Sequence, residues 1–358
     1  MAALKTIQKG STTITAGNTS TTATITSIDT SKSFLQVSVS CDNNDKSQKN
    51  ALCRAWISSA TQLTFSRNGN EYNLTIRWQV VEFTSGVVVQ RGAESNIQGT
   101  RNVTITAVTL AKSWVSQTQE NYNSYGLQWI DSLSCDLTTT TNLALVNTNT
   151  STYAQTVRWE VVQYDNCSVQ KFSQTMSASG TSDSTTISAV TMAKTALLLT
   201  GRTDQGTGFF NDSKEWLSWL TSTTAINHER GFGDTSARYI IGYAVSFTDN
   251  VSVARYSKTI SAGTATGTVT LALTDYTRTL AYHTHAALQR QWSYTGAATA
   301  DTCGMAQINP TSNTSATLTR GTTEDENKFR FETLEWLADR ANSLLCFCPS
   351  PTFTGEAW

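Results

Sequence analysis

Hydrophobic and polar residues alternate with period two along much of the chain, and one alternating stretch returns. Residues 76–83 read IRWQVVEF, 157–164 read VRWEVVQY and 329–336 read FRFETLEW, while a weaker copy, IIGYAVSF, occupies 240–247. In the first copy Ile76, Trp78 and Val80 share one face of a strand, and Arg77, Gln79, Val81 and Phe83 share the other. The first face predicts core. The second turns apolar towards its end, so an adjacent unit or another subunit is expected to cover it.

Two further stretches set the phase of the repeat. ITSIDTSKSFL (25–35), ITAVTLAKSWV (105–115), ISAVTMAKTAL (187–197) and LALTDYTRTLA (271–281) carry a base at Lys32, Lys112, Lys194 and Arg278, a period of about 80–84 residues. TIQKG (6–10), VVQRG (88–92), SVQKF (168–172) and SVARY (252–256) precede them in the same order. The markers divide the chain into four β units, 1–83, 84–164, 165–247 and 248–337, with a tail at 338–358. The expected fold is all-β: four tandem antiparallel β-sandwich-like units of roughly 80–88 residues, each of five or six strands. The first two strands of a unit are expected to be short, and a turn carrying Asp29, Ser31 and Lys32 leads into Phe34–Val37. Trp78, Trp159, Tyr243 and Phe331 are the expected large core residues of the recurring strand, with Tyr243 standing in for tryptophan in the third unit.

Thr84-Ser85-Gly86, Asp165-Asn166 and Thr248-Asp249-Asn250 read as hairpin turns between units. The last strand of one unit is then expected to pair with the first strand of the next. That would make a continuous, extended array with unpaired edges only at its two ends. In the tail, apolar residues at 334, 337, 338, 341, 344 and 345 approach a helical period and predict a short amphipathic helix. Phe347, Phe353 and Trp358 follow, an apolar segment that a neighbouring subunit would bury.

Composition agrees with strands. Charged residues are 15%, there are 3 Pro among 358 residues, and Ser and Thr fill the polar positions, where β-branched Thr fits a pleated surface. Lys+Arg 26 against Asp+Glu 27 leaves a net charge of −1, which argues against nucleic acid as a partner through a broad basic face. No stretch approaches the roughly 18 apolar residues of a membrane span, and none has the form of a signal peptide, so first folding in a cytoplasm is expected.

Candidate chemistry is sparse. No nucleophile elbow, HExxH, P-loop or Gly-rich dinucleotide motif occurs, and three histidines leave little material for a catalytic dyad. Neither catalysis nor a cofactor is expected. Seven cysteines are present. Cys53, Cys135 and Cys303 precede the recurring strand at similar distances and read as one half-buried position. Cys167, at the tip of the Asp165-Asn166 turn, is expected to be exposed. With Cys346 and Cys348 of the tail it is a candidate for interchain disulfides, and Cys41 and Cys53 are a further possible pair. His283 and His285 fall on one face of a strand, a pairing that suits a borderline metal. The recurring bases, with Arg77, Arg158 and Arg330, read as cations that cover sheet edges and pair locally.

The order VQRG, then T-I-T-x-V-x-x-x-K-S-F/W-V, then L-T-x-x-R, then RWxVVEF resembles the small β-rich repeat modules of tailed-bacteriophage virion proteins. The likeness runs through all four copies and is weakest in the third, at Gly242-Tyr243, where Arg-Trp is expected. It implies a structural part of the particle, with no catalytic residues to carry over. His283 and His285 are similar to the His-x-His pairs that hold iron in some trimeric phage spikes. The implied function is a multi-copy component of the virion, at the neck or collar or as head decoration, partnered by copies of itself and by capsid, neck or tail proteins. The alternative is a tail-appendage adhesin that binds host glycan through Trp114, Trp129, Trp216, Trp219 and Trp292.

Overall fold

The computed structural model describes residues 2–42, 50, 52–121, 133–147, 155–177, 179–203, 216–230, 237–284, 292–293, 306–321, 323 and 326–338. They form an all-β protein. In the first unit β1 (Ala3–Ile14), β6 (Leu74–Ser85) and β3 (Ser33–Cys41) make one antiparallel sheet in the order β1-β6-β3. Strands β2 (Ser20–Thr24), β5 (Gln62–Ser66) and β4 (Arg54–Ser59) make the other. The same two sheets return in β7 (Val87–Ile97), β12 (Gln155–Tyr164) and β9 (Ser113–Asn121), with β8 (Gly99–Thr104), β11 (Asn142–Asn147) and β10 (Ser134–Thr139). The third unit repeats them in β13 (Cys167–Met176), β18 (Arg238–Phe247) and β15 (Thr195–Thr203), with β14 (Ser182–Thr186), β17 (Ala225–Glu229) and β16 (Leu217–Leu220). The fourth uses β19 (Val251–Ile260), β25 (Asn327–Trp336) and β21 (Thr279–His283), to which β22 (Trp292–Ser293) adds, with β20 (Thr266–Thr270), β24 (Ser315–Arg320) and β23 (Ala306–Ser312).

Side chains from the two sheets meet between them. In the first unit Val37, Val39, Trp78 and Val80 pack against Ala55, Ile57, Leu63 and Phe65. The glutamine of the first-strand marker ties the sandwich together. Gln8 donates to Thr26 O and accepts from Thr26 N (2.9 and 2.7 Å). Gln90 does the same at Thr106 and Gln170 at Ser188. The hydroxyl after the recurring base closes the short 3-10 turn in every copy: Ser33, Ser113, Thr195 and Thr279 each donate to the carbonyl four residues back. In three of the units the arginine at the end of the fifth strand is buried and caps loop carbonyls, as Arg67 does at Ile14 and Asn18 and Arg320 does at Ser261 and Thr264, and in the second Asn147 stands there.

Three expectations change here. The first strand of a unit is long, 12 residues in β1. The last strand does not pair with the first strand of the next unit: among the described residues no ladder crosses a unit boundary. Each last strand is apolar on both faces and takes the middle of its own sheet, so both of its ladders are already used. The helical period from 334 also fails at its start, because Leu334 and Trp336 belong to β25. A ladder on both sides of this segment outweighs its weak helical pattern. The tail from 339 onward lies outside the described residues.

The core position of the recurring strand is filled in three ways. Trp78 lies over Gly10 and Trp159 over Gly92, its partner across the ladder. A Cβ at Gly10 would sit 2.1 Å from the Trp78 ring, so glycine is obligatory there. In the third unit the pair is reversed, with Phe172 lying over Gly242. In the fourth both partners are large, and Tyr256 stacks on Phe331 at 5.1 Å and 22°. The register therefore assigns Gly242, not Tyr243, to the tryptophan position. Tyr243 is buried one residue later, where Gln79 stands in the first unit.

The four units close into a ring. The last residues of the recurring strands, Phe83, Tyr164, Phe247 and Trp336, meet at its centre. Phe83 contacts Tyr164 at 5.5 Å and Trp336 at 5.7 Å, and Tyr164 contacts Phe247 at 5.3 Å, all edge-to-face. Trp336 Nε1 donates to Tyr164 Oη, which donates to Asp249 (3.2 and 2.6 Å). One apolar cluster thus draws residues from all four units. It covers the half-apolar second face predicted from Val81 and Phe83, and it replaces the extended array with a closed one.

The reversed pair in the third unit predicts compensation in the first. W78G should cost about 3–5 kcal/mol as a cavity, and G10F about 1–3 kcal/mol or more as overpacking. The double variant G10F/W78G should be less destabilised than the sum, as read by urea unfolding in a double-mutant cycle.

Candidate functional site

The chemistry of the chain concentrates at the joints between units, which are built alike. A base on the first strand of each unit reaches the unit before it. Arg91 donates to Thr30 O and Ser33 O (2.6 and 2.5 Å), Arg255 to Met192 O and Thr195 O, and Lys9 to Tyr276 O. Lys171 instead meets Asp136 and Leu137 O. The residue after the tryptophan position then binds an edge N–H of the same neighbour. Leu35 N donates to Glu160 (2.9 Å) and Leu197 N to Glu332 (2.8 Å), while Gln79 exchanges two bonds with Ala281 (2.6 and 3.1 Å). In the third unit Tyr243 Oη accepts from Leu137 N instead.

A hydroxyl six residues after the recurring base stitches each third strand to the fourth strand of the preceding unit. Thr118 bonds Ala55 and Thr200 bonds Cys135, each through both N–H and C=O, and Ser38 accepts from Ile308 N. At the last joint Thr284 uses its backbone carbonyl, accepting from Ser218 N. These strands are edges of their own sheets. Side chains of the neighbour satisfy them without extending a ladder, which blunts edges that would otherwise invite foreign strands.

The joint between the first two units leaves a cleft of about 100 Å³. Trp56, Arg91, Ser116, Arg158, Trp159 and Glu160 line it. Arg91 pairs with Glu160 at 3.2 Å, and the guanidinium of Arg158 lies over the Trp56 ring at 4.2 Å. Arg54 pairs with Glu120 at 2.8 Å beside it. Burial pushes the Glu160 carboxyl upward against the pull of Arg91, and burial together with Arg54 pushes the Arg158 guanidinium down. The joint between the third and fourth units is built from the same parts: Arg255 pairs with Glu332 at 3.0 Å, and Arg330 lies over Trp219 at 3.6 Å. There Tyr282, facing Glu332 across the ladder, donates its hydroxyl to that acid at 2.6 Å. Ser116 faces Glu160 in the corresponding pair, so the space of a phenol ring is open.

The residues singled out from sequence fall as follows. Trp78, Trp159, Tyr243 and Phe331 are buried. Cys41, Cys53, Cys135 and Cys167 are buried, and none of the four is in a disulfide. Cys167 departs from its expected exposure because, as the first residue of β13, it turns its side chain into the central cluster while Asp165 of the turn stays exposed; its thiol donates to Tyr164 O, and burial pushes it up to about 12. Cys303, Cys346 and Cys348 lie outside the described residues. His283 packs near Phe329 and donates to Ala306 O, and burial lowers it to about 4. His285 is outside the described residues, among which no cluster of three metal-ligating side chains occurs. Of the tryptophans named for glycan, Trp114 and Trp216 are buried and Trp219 is covered by Arg330. The side chains of Trp129 and Trp292 are outside the described set. Local pairing of the recurring bases holds for Lys32 with Asp29, whereas Lys112 and Lys194 reach carbonyls of the next unit, at Cys167 and Asp249.

Glu160, Glu332 and His228 are functional positions beyond those expected from the sequence. The signal for the acids was available, since a charge stands between apolar residues of a buried strand. No family model, curated protein or solved structure matches the chain.

Two outcomes follow from these contacts. Q79A removes both partners of Ala281 and should cost about 2–4 kcal/mol, with faster hydrogen exchange at the Ala281 amide as the reading. His228 is fully buried between Thr185 and Ser218, and burial lowers it to about 4. The unfolded histidine titrates near 6.5, so the stability it contributes is present above that pH and lost as pH falls towards 4, by up to about 3 kcal/mol. Denaturant melts at pH 7 and pH 4.5 should show a smaller loss for H228Q than for the parent.

Proposed function

We propose that this chain is a structural, multi-copy component of a tailed-phage particle, seated at the neck or collar or on the head, and not an enzyme. The observation that carries the structural reading is the use made of the repeated polar residues. The marker glutamine, the marker base, the acid or amide of the recurring strand and the hydroxyl of the third strand each hold sheet to sheet or unit to unit. Among the described residues, most of the repeated polar groups are taken up by these contacts. A catalyst concentrates chemistry in one cleft; here the chemistry is distributed through four joints, as rigidity requires. Assignment to a phage particle rests on the resemblance of the motif order to virion repeat modules.

In this reading the ring is a rigid block, and assembly uses its periphery and its tail. The strands β2, β8, β14 and β20 each have one unpaired side in their sheets and carry Ser and Thr. Their short, polar form suits lateral contacts under particle control better than free aggregation. Partners are further copies of the chain and other virion proteins. Covalent fastening falls to Cys346 and Cys348, since Cys167 is enclosed.

Native mass with and without reductant, followed by binding to purified particles and to a glycan array, tests the proposal. A discrete oligomer above 39.0 kDa that binds particles is expected, and SDS-resistant species should vanish on reduction and in C346S/C348S. A monomer at all concentrations that ignores particles and binds a defined glycan would overturn it in favour of the adhesin.

A further inference from the structure

The cleft between the first and second units has an unused hydrogen-bond donor and excess positive charge. Arg54, Arg91 and Arg158 stand there against Glu120 and Glu160. Arg54 is paired with Glu120, and Arg91 with Glu160 and two carbonyls of the first unit. Arg158 is left over. It stacks on Trp56 and feels Glu120, yet its Nε is buried without a hydrogen-bond partner. That atom is a donor. Glu160 does not block an anion, because one of its oxygens is held by Arg91 and the other by Leu35 N.

Buried donors without acceptors are costly, and a bound group that supplies acceptors relieves the cost. The group must be small, flat and rich in acceptors, since the space is about 100 Å³ between an indole and a ladder. It should carry negative charge to match Arg158, whose planar fork suits a carboxylate. We propose that the cleft lined by Trp56, Ser116, Arg158 and Trp159 is a carboxylate-binding site that takes a single acid group, free or on an acidic side chain. Ser116 makes the opening. In the fourth unit Tyr282 occupies the corresponding place and bonds to Glu332. The site is thus made by one small residue where its repeat carries a large one. This inference stands on the joint alone and does not depend on the virion reading.

The test uses the full chain and titration calorimetry with N-acetylaspartate, with acetamide as the neutral control and the same acid placed in a capped glycine-flanked peptide. Saturable binding of N-acetylaspartate that weakens with salt is expected, with acetamide at least about tenfold weaker. S116Y should fold, since the fourth unit shows the same phenol beside the same acid, and it should lose binding at least about tenfold. R158Q should lose it as well. Tighter binding of the peptide identifies a protein side chain as the source; equal binding identifies a free carboxylate. Absence of saturable binding to the parent, equal binding of acetamide, or binding unchanged in S116Y would overturn the proposal.

Discussion

The structure depends on burying the second face of the recurring strand. Each of these strands has two apolar faces near its C-terminal end, and a two-sheet sandwich can cover only one. Phe83, Tyr164, Phe247 and Trp336 would otherwise stand in water at the rim of four separate sandwiches. At about 25 cal/mol per Å², and roughly 150–250 Å² for each aromatic side chain, their joint burial is a large share of the stability a domain possesses. Closing the units around these four residues removes them from solvent together. The turns between units follow from this: the chain swings back to start the next sandwich beside the same centre, and a hairpin ladder would carry it away.

Ring closure brings sheet edges side by side, and polar groups then decide how they meet. A ladder across the joint would need matched register and twist between sheets that already have both. The joints use single side chains instead: a base on a turn, an acid or amide on an edge N–H, a hydroxyl on the neighbouring strand. Each places a hydrogen-bonding group where a backbone group would otherwise be buried unpaired. The same solution appears with different residues. Glu160 and Glu332 accept where Gln79 both donates and accepts, and Tyr243 changes target to Leu137. The joints are equivalent in place and unequal in chemistry, which is how one of them comes to hold an open cleft.

Much of this was legible in the sequence, for a physical reason. Period-two alternation and turn residues report local geometry, so four β units, their phase and the core role of Trp78, Trp159 and Phe331 could be read directly. The marker residues also announced themselves, because a group that must meet a particular backbone atom returns at the same place in each copy. Legibility ended where two positions exchange roles. Phe172 and Gly242 together do what Gly10 and Trp78 do, and neither residue alone carries that message. Tyr243 was misassigned for that reason.

By itself the sequence determined the all-β class, the number of units and, in three of the four, the large side chain of the recurring strand that points into the sandwich. These follow from alternation along one strand and need no partner. Only the tertiary structure decided that the last strand lies in the middle of its sheet, that the units form a ring, that Cys167 is enclosed, and that Arg158 faces an open cleft while Arg330 stands at a joint where Tyr282 fills the corresponding place. Each of these depends on which surfaces lie opposite one another. That is a property of contacts between residues tens to hundreds of positions apart, and the local pattern of hydrophobic and polar residues does not encode it.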